Sequence, residues 1–315
     1  MNIKIVFYSL LVFYLAMAQL SCDDSKKKSK TKDKPSQIYQ TDNPSFNPQT
    51  GEFSVDKHTA ALWHLNEGKD IVFTDSSPNN NYGQIVKGSW TDGRFGKAIK
   101  LSGRKQYLYV PDNQTLSLNK AVTVEMWVYI KRLVGSAMAI LIKQTDFVDR
   151  QTYPNYGFYM KVKPGHSVFP VPGLWWWPTS TSADHYSLTA ETSKKLGLSS
   201  LVGKWHYLAG TYNGEYSRLY IDGELISEVK FKGSLRTVGN GDLYIGTIHT
   251  NYLHVSYNGK VDEIRISNVA RSPQAIKKYW DSVKDIKSND TVTNDLEQIK
   301  KQKKKKKKNK KAKPN

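Results

Sequence analysis

The sequence predicts an all-β protein: a two-sheet antiparallel β-sandwich of jelly-roll type, with one short C-terminal helix and disordered ends. Three observations predict it. The run WHYLAGTYNGEYSRLYIDGELI (205–226) alternates large apolar and polar side chains and is interrupted by Asn213-Gly214 and Asp222-Gly223. These dipeptides tolerate the positive φ of tight hairpin turns, so the run reads as three consecutive antiparallel strands, 205–212, 216–221 and 224–230. Elsewhere the strand candidates are short, with turn residues roughly every ten positions. Helical signatures are nearly absent.

Taken in order, ALWHLNEGKDIVFTDSSPNNNYGQI (61–85) is a strand followed by an Asp- and Asn-rich loop, and GRFGKAIKLSGRKQYLYVPD (93–112) follows it. In VTVEMWVYI (122–130), Val124, Met126 and Val128 share one face while Glu125 and Trp127 share the other, because strand neighbours alternate. One of those faces lines the space between the sheets. Residues 144–200 form an excursion: a strand near 156–162, then a Pro-, Ser- and aromatic-rich surface segment. After the meander come GDLYIGTI (241–248) and YNGKVDEIRISNVARSPQAIKKYW (257–280). In the latter, Ser272 caps and Pro273 takes the first turn of a helix over 273–283. That helix packs Ile276 and Tyr279 or Trp280 back on the sandwich, and 285–299 either prolong it or fray.

In their order and spacing these blocks resemble the LamG-like jelly-roll domains of the concanavalin A-like lectin/glucanase superfamily, over roughly residues 58–281. The resemblance implies that Trp63, Trp127 and Trp205 are packing aromatics. It also implies a structural calcium site in which the loop TDSSPNNNYG (74–83) meets the penultimate strand. Asp75 and Asp262 are its leading ligands and Asn79 and Asn81 the next, since calcium takes six to eight hard oxygens. The alternative for this loop is a set of Asx turns whose side chains cap their own backbone.

The superfamily also contains enzymes, but the residues argue against catalysis here. Laminarinase-like hydrolases place two carboxylates on one face of one strand, about 5 Å apart. Asp262 and Glu263 are adjacent, which on a regular strand sends them to opposite faces, and Glu125 has no acidic neighbour at i+2 or i+4. His249 and His254 lack the arginine, glutamine and tyrosine partners of the alginate-lyase-like pattern. No nucleophile elbow, phosphate-binding glycine loop or His/Cys metal cluster is present.

Candidate ligand residues come from the excursion. Trp175, Trp176 and Trp177 are consecutive and cannot all face inward on a strand, so at least one is exposed or covered by the loop itself. With Tyr153 and Tyr186 they offer a flat aromatic platform for a sugar ring; the alternative is a plug for the open end of the sandwich.

The ends read differently. Residues 1–21 form an export signal: Lys4, an apolar run over 5–18, and Leu20-Ser21 before Cys22. Cys22 is the only cysteine, so no disulfide forms within the chain. Its position resembles a bacterial lipoprotein cleavage site, and Asp23-Asp24 resemble a signal for surface display. Residues 22–57 are then the lipidated cysteine and a polar flexible linker, 58–283 the jelly-roll domain, and 284–315 a disordered tail. Eleven lysines occupy residues 300–313, so the formal net charge of +19 belongs mostly to the ends and not to a basic nucleic-acid-binding face.

The expected protein is secreted and lipid-anchored to the bacterial outer membrane or cell surface. It is a non-catalytic module for a polysaccharide or extracellular glycoprotein, with no specific nucleic-acid partner. The alternatives are an adhesion protein acting through a protein partner or a polyanion on the lysine tail, and a divergent polysaccharide lyase or hydrolase.

Overall fold

Alternating apolar residues in successive strands close two antiparallel sheets over one core. The computed structural model describes residues 39–40, 45–103, 105–148, 151–164, 172–179, 196–230, 232–237, 241–249 and 255–289. The export signal, Cys22, Tyr186, His254, the side chain of Tyr153 and the lysine tail lie outside the described residues.

One sheet runs β11 (Gly173–Trp176), β10 (Gln151–Lys161), β9 (Ala137–Val148), β15 (Leu243–Ile245), β7 (Tyr107–Val110), β4 (Gly83–Val86) and β3 (Val72–Phe73). The other runs β14 (Glu224–Lys230), β13 (Tyr216–Ile221), β12 (Trp205–Tyr212), β8 (Val122–Ile130), β16 (Asn258–Ser267), β6 (Lys97–Ser102) and β5 (Ser89–Asp92). An eighth strand of this sheet, β2 (Thr59–Trp63), also pairs with β16. A short parallel pair joins β1 (Tyr39–Gln40) to β17 (Ala270–Arg271). The three predicted meander strands have the expected bounds. Along β8, Val122, Val124, Met126, Val128 and Ile130 enter the core between the sheets.

The opposite face of β8 is also covered. Trp127 lies in a second apolar cluster with Phe53, Phe95, Tyr207, Ile276 and Tyr279, on the outer side of the eight-stranded sheet. The cover has two parts. One is α1 (Pro273–Val283), capped as expected by Ser272, whose hydroxyl accepts from the Ala275 amide at 3.1 Å. The other corrects the expected linker: residues 45–57 are folded onto the domain. Phe46 and Phe53 bridge across a tight turn, and Phe53 is buried against Tyr279, ring centroids 4.6 Å apart. The stretch is poor in aliphatic residues, but Phe46 and Phe53 give it an apolar anchor on the outer cluster, and large aromatics contribute strongly to such contacts.

Between cover and sheet lies a buried charge network. The Glu125 carboxylate accepts from Arg265 Nε at 2.9 Å and from the Tyr207 hydroxyl at 2.6 Å, and Arg271 Nε stands 3.2 Å away. Arg265 also donates to the carbonyls of Ser45 (2.7 Å) and Ser54 (3.3 Å), and its guanidinium lies over the Phe53 ring. Arg271 completes the set with Asp56 at 2.7 Å. Removing one partner of such a pair leaves the other charge buried and uncompensated. Glu125→Ala is therefore expected to lower unfolding free energy by about 3–5 kcal/mol, read from the urea midpoint with the slope unchanged.

Candidate functional site

The loop expected to hold calcium is closed on itself. Asp75 Oδ1 accepts from the amides of Leu62 (2.9 Å) and Ser77 (2.8 Å), and Oδ2 from the Ser77 hydroxyl (2.7 Å) and the Asn81 amide (2.9 Å). The side-chain amides of Asn79 and Asn81 both donate to the Ala60 carbonyl, at 2.9 and 3.0 Å. Asp75 thus accepts from four donors, one on β2 and three within the loop itself, and a cation there would compete with them. Asp262 takes different partners: its Oδ2 accepts from the amides of Arg94 (2.7 Å) and Phe95 (2.9 Å). The four expected ligands serve two separate backbone turns, so these residues do not form a ready oxygen cage. The Asx-turn alternative describes the loop.

Asp262 and Glu263 also correct the expectation of opposite faces. The β16–β8 register shifts between Asp262 and Arg265, and Glu263 adopts φ +46°. A bulge of this kind inserts one residue and re-aims its side chain. Both carboxylates consequently meet residues of the outer layer: Asp262 the turn at Phe95, Glu263 the Phe53 amide at 2.8 Å and His64 Nδ1 at 2.7 Å. Both are wholly buried. Burial pushes the Asp262 carboxyl well above its usual range, and the neighbouring Glu263 adds to the shift. Burial also raises Glu263, against the opposing pull of His64. Burial pulls His64 down, but the bond and charge of Glu263 outweigh it and leave the imidazole raised above 6.5.

Among the described residues, Glu52, His64 and Glu263 are the one group of three or more His, Cys, Asp or Glu with ligand atoms within 4.8 Å of one another. Mixed nitrogen and oxygen donors suit a transition ion better than calcium. As folded, however, the group is internally bonded: His64 to Glu263, Glu52 to Asn66 at 2.7 Å and to Thr50 at 2.9 Å.

The tryptophans do not form an open platform. Trp176 is wholly buried between the sheets, its ring 5.0 Å from that of Phe158 and its Nε1 donating to the Thr211 carbonyl at 3.2 Å. Gly210 faces it because a Cβ there would stand 2.3 Å from the indole. Trp175 and Trp177 retain only 5 % exposure each, and the Trp177 ring meets Tyr159 edge-on at 6.2 Å. All three belong to the apolar cluster between the sheets, so none is left as an open face.

An open groove lies elsewhere, on the outer side of the eight-stranded sheet beyond the cover. Its cavity is about 320 Å³, lined by Thr91, Lys100, Leu101, Tyr129, Lys131, Gly259 and Lys260. Strand register builds it: Ser89 faces Lys100, Lys100 faces Lys260, Lys260 faces Tyr129, and Tyr129 faces Trp205. The two aromatic rings meet edge-on at 5.8 Å. Lys260 Nζ lies 5.5 Å from the Tyr129 ring and 6.0 Å from that of Trp205, and donates to the Asp92 carbonyl at 3.2 Å. Sequence reading missed these lysines because they come from three distant segments; only the pairing of β6, β16 and β8 makes them neighbours.

The Laminin_G_3 family model, described as the concanavalin A-like lectin/glucanases superfamily, matches residues 102–277, more than half of the chain. The chain belongs to this family. No curated protein sequence matches this Laminin_G_3 chain. Among solved structures it is similar to domain 4 of AbnA, a GH43 extracellular arabinanase from Geobacillus stearothermophilus, in complex with arabinotriose. Identity is 18 %, the TM-score 0.52, and the match covers 70 % of this chain and 98 % of that one. It is similar also to the binding domain of Paraclostridial Mosquitocidal Protein 1 (17 % identity, TM-score 0.52, 71 % of this chain and 52 % of that one). A third is the botulinum neurotoxin serotype D ligand-binding domain in complex with N-acetylneuraminic acid (14 % identity, TM-score 0.51, 71 % and 50 %). The chain spans about half the length of the two toxin domains, and at these identities the likeness is one of fold.

Two measurements follow from the site geometry of this Laminin_G_3 domain. With four protein donors on Asp75, the melting temperature should be the same in EDTA and in excess calcium; a rise with calcium would restore the cation site. A raised folded-state pKa contributes stability that is present at low pH and lost as pH rises through that value. His64 and Glu263 are both raised, so the melting temperature should fall as pH climbs from below 6.5 through the folded His64 value. His64→Gln should flatten the part of that fall lying above 6.5.

Proposed function

We propose that this chain is a non-catalytic carbohydrate- or glycoprotein-binding module displayed on a bacterial cell surface, with Cys22 carrying the lipid anchor. The observation that carries the reading is the pairing of a Laminin_G_3 sandwich with an open groove lined by the Tyr129 ring, which Trp205 backs edge-on, and by polar donors. Aromatic faces beside polar donors suit a saccharide, whose rings present C–H groups on one side and hydroxyls at the edge. Support comes also from the arabinotriose bound to the arabinanase domain and the N-acetylneuraminic acid bound to the serotype D domain. The adjacent carboxylates Asp262 and Glu263 are buried and engaged by backbone amides and His64, which leaves neither open to a scissile bond.

A second reading rests on the eleven lysines of residues 300–313: adhesion to a polyanion or an acidic protein partner through the tail. Such contacts are long-ranged and weaken with salt. Binding of the full chain to a broad glycan array, with and without residues 300–315, separates the two. Saccharide hits that persist without the tail support the module. A blank array, or hits lost with the tail and with added salt, overturns it in favour of adhesion.

A further inference from the structure

We propose that the outer-face groove between β5, β6, β16 and β8 is the ligand site, and that it takes an acidic saccharide bearing carboxylate or sulfate groups. The assignment rests on the binding-module reading and narrows its ligand class. Three observations carry it.

The first is uncompensated charge. Lys100 and Lys131 are exposed, and among the described residues neither has an ion pair or a side-chain hydrogen bond. Asp92, whose backbone carbonyl accepts from Lys260, has its carboxylate in a 2.8 Å pair with Lys97. The second is register. Lys100 and Lys260 stand directly opposite one another on adjacent strands. Like charges in that relation destabilise a sheet, and while Lys260 is held by the two rings and the Asp92 carbonyl, Lys100 brings the fold no contact in return. An anion lying across β6 and β16 would relieve the repulsion.

The third is the order of groups along the row. Reading across the sheet, a polar edge at Ser89 and Thr91 gives way to the lysines, then to Tyr129 and Trp205. Strands are spaced about 4.8 Å apart, so Lys100 and Tyr129 lie two strand spacings from each other, roughly the span of one or two sugar rings. A ring packed on Tyr129 would thereby present its acidic substituent to Lys100 and Lys131. A cavity of about 320 Å³ falls at the small end of ligand clefts, consistent with a short stretch of chain and not a deep pocket. Lys260, already over both rings, sets the floor and positive potential of the groove.

The test uses the full chain. Three oligosaccharide probes are titrated: an oligogalacturonide, a heparin-derived oligosaccharide and a neutral arabino-oligosaccharide, with polyglutamate as a sugar-free polyanion. The expected result is binding of one or both acidic sugars, the preferred one distinguishing carboxylate from sulfate. The double variant Lys100→Gln/Lys131→Gln should raise Kd at least about tenfold and flatten its dependence on salt, because two charge contacts are lost. Tyr129→Leu should weaken sugar binding while leaving polyglutamate unchanged. The charge-matched control Lys57→Gln/Lys69→Gln, at exposed positions outside the groove, should bind as the parent does. Lys100 and Lys131 have no partners to lose and Lys100 faces a like charge, so a melting temperature no lower than the parent's confirms that the variant is folded. Acidic-sugar binding unaffected by the groove variant overturns the assignment and moves the contact to the tail. Neutral sugars bound in its place overturn the ligand class but keep the module. Polyglutamate bound as tightly as the sugars overturns the saccharide, and silence from every probe overturns the module reading too.

Discussion

A single carboxylate organises the outer layer of this domain. Glu125 sits mid-strand on β8, wholly buried, and its position is tenable only because Arg265, Arg271 and the Tyr207 hydroxyl surround it. Arg265 in turn reaches the carbonyls of Ser45 and Ser54, which holds the N-terminal hairpin against the sheet. Arg271 reaches Asp56 and stands just before the helix that covers the same face. Desolvating these ions is costly, and replacing them with apolar groups could match their energy. What they add is direction: each guanidinium has donors for both the sheet and the cover, so the cover can dock in only one register.

Much of this fold was legible in the sequence because its strands obey simple periodicity. The meander, strand β8 and the capped helix carry local signals, Asn-Gly, Asp-Gly and Ser-Pro, that do not depend on distant contacts. The hairpin at 45–54 was not legible, since two phenylalanines in a polar stretch acquire meaning only when a sheet face awaits them. Glu263 was misread for a related reason. Its alternation was inferred for a regular strand, and the bulge that breaks alternation has no signature in GKVDEIRIS. The tryptophan triplet shows the limit of the parity argument. The flat exposed platform expected of the triplet fails because all three tryptophans are buried and belong to the same apolar cluster between the sheets.

The eight-stranded sheet therefore has an outer face of two kinds. Toward Thr123, Glu125 and Trp127 it is sealed by hairpin and helix; toward Tyr129 it is open and basic. The sealed part is held rigid by paired charge and stacked rings, and the open part inherits that rigidity through the same strands. Groups placed on such strands are held more firmly than groups on loops, which favours recognition by a preset surface over recognition by a mobile one.

The cover has a kinetic consequence. The bonds that fasten it join residues far apart in the chain, Arg265 to Ser45 across 220 positions and Glu263 to Phe53 across 210. Contacts of such long range form late, after the entropy of closing the intervening loop has been met. A nascent chain emerging from its N-terminus carries Glu125 without a counter-ion until β16 has been made. Until then the half-built sheet holds an acid that must stay in water, which opposes premature closure of the outer layer. The domain is thus timed to become whole only when its last strand and helix arrive.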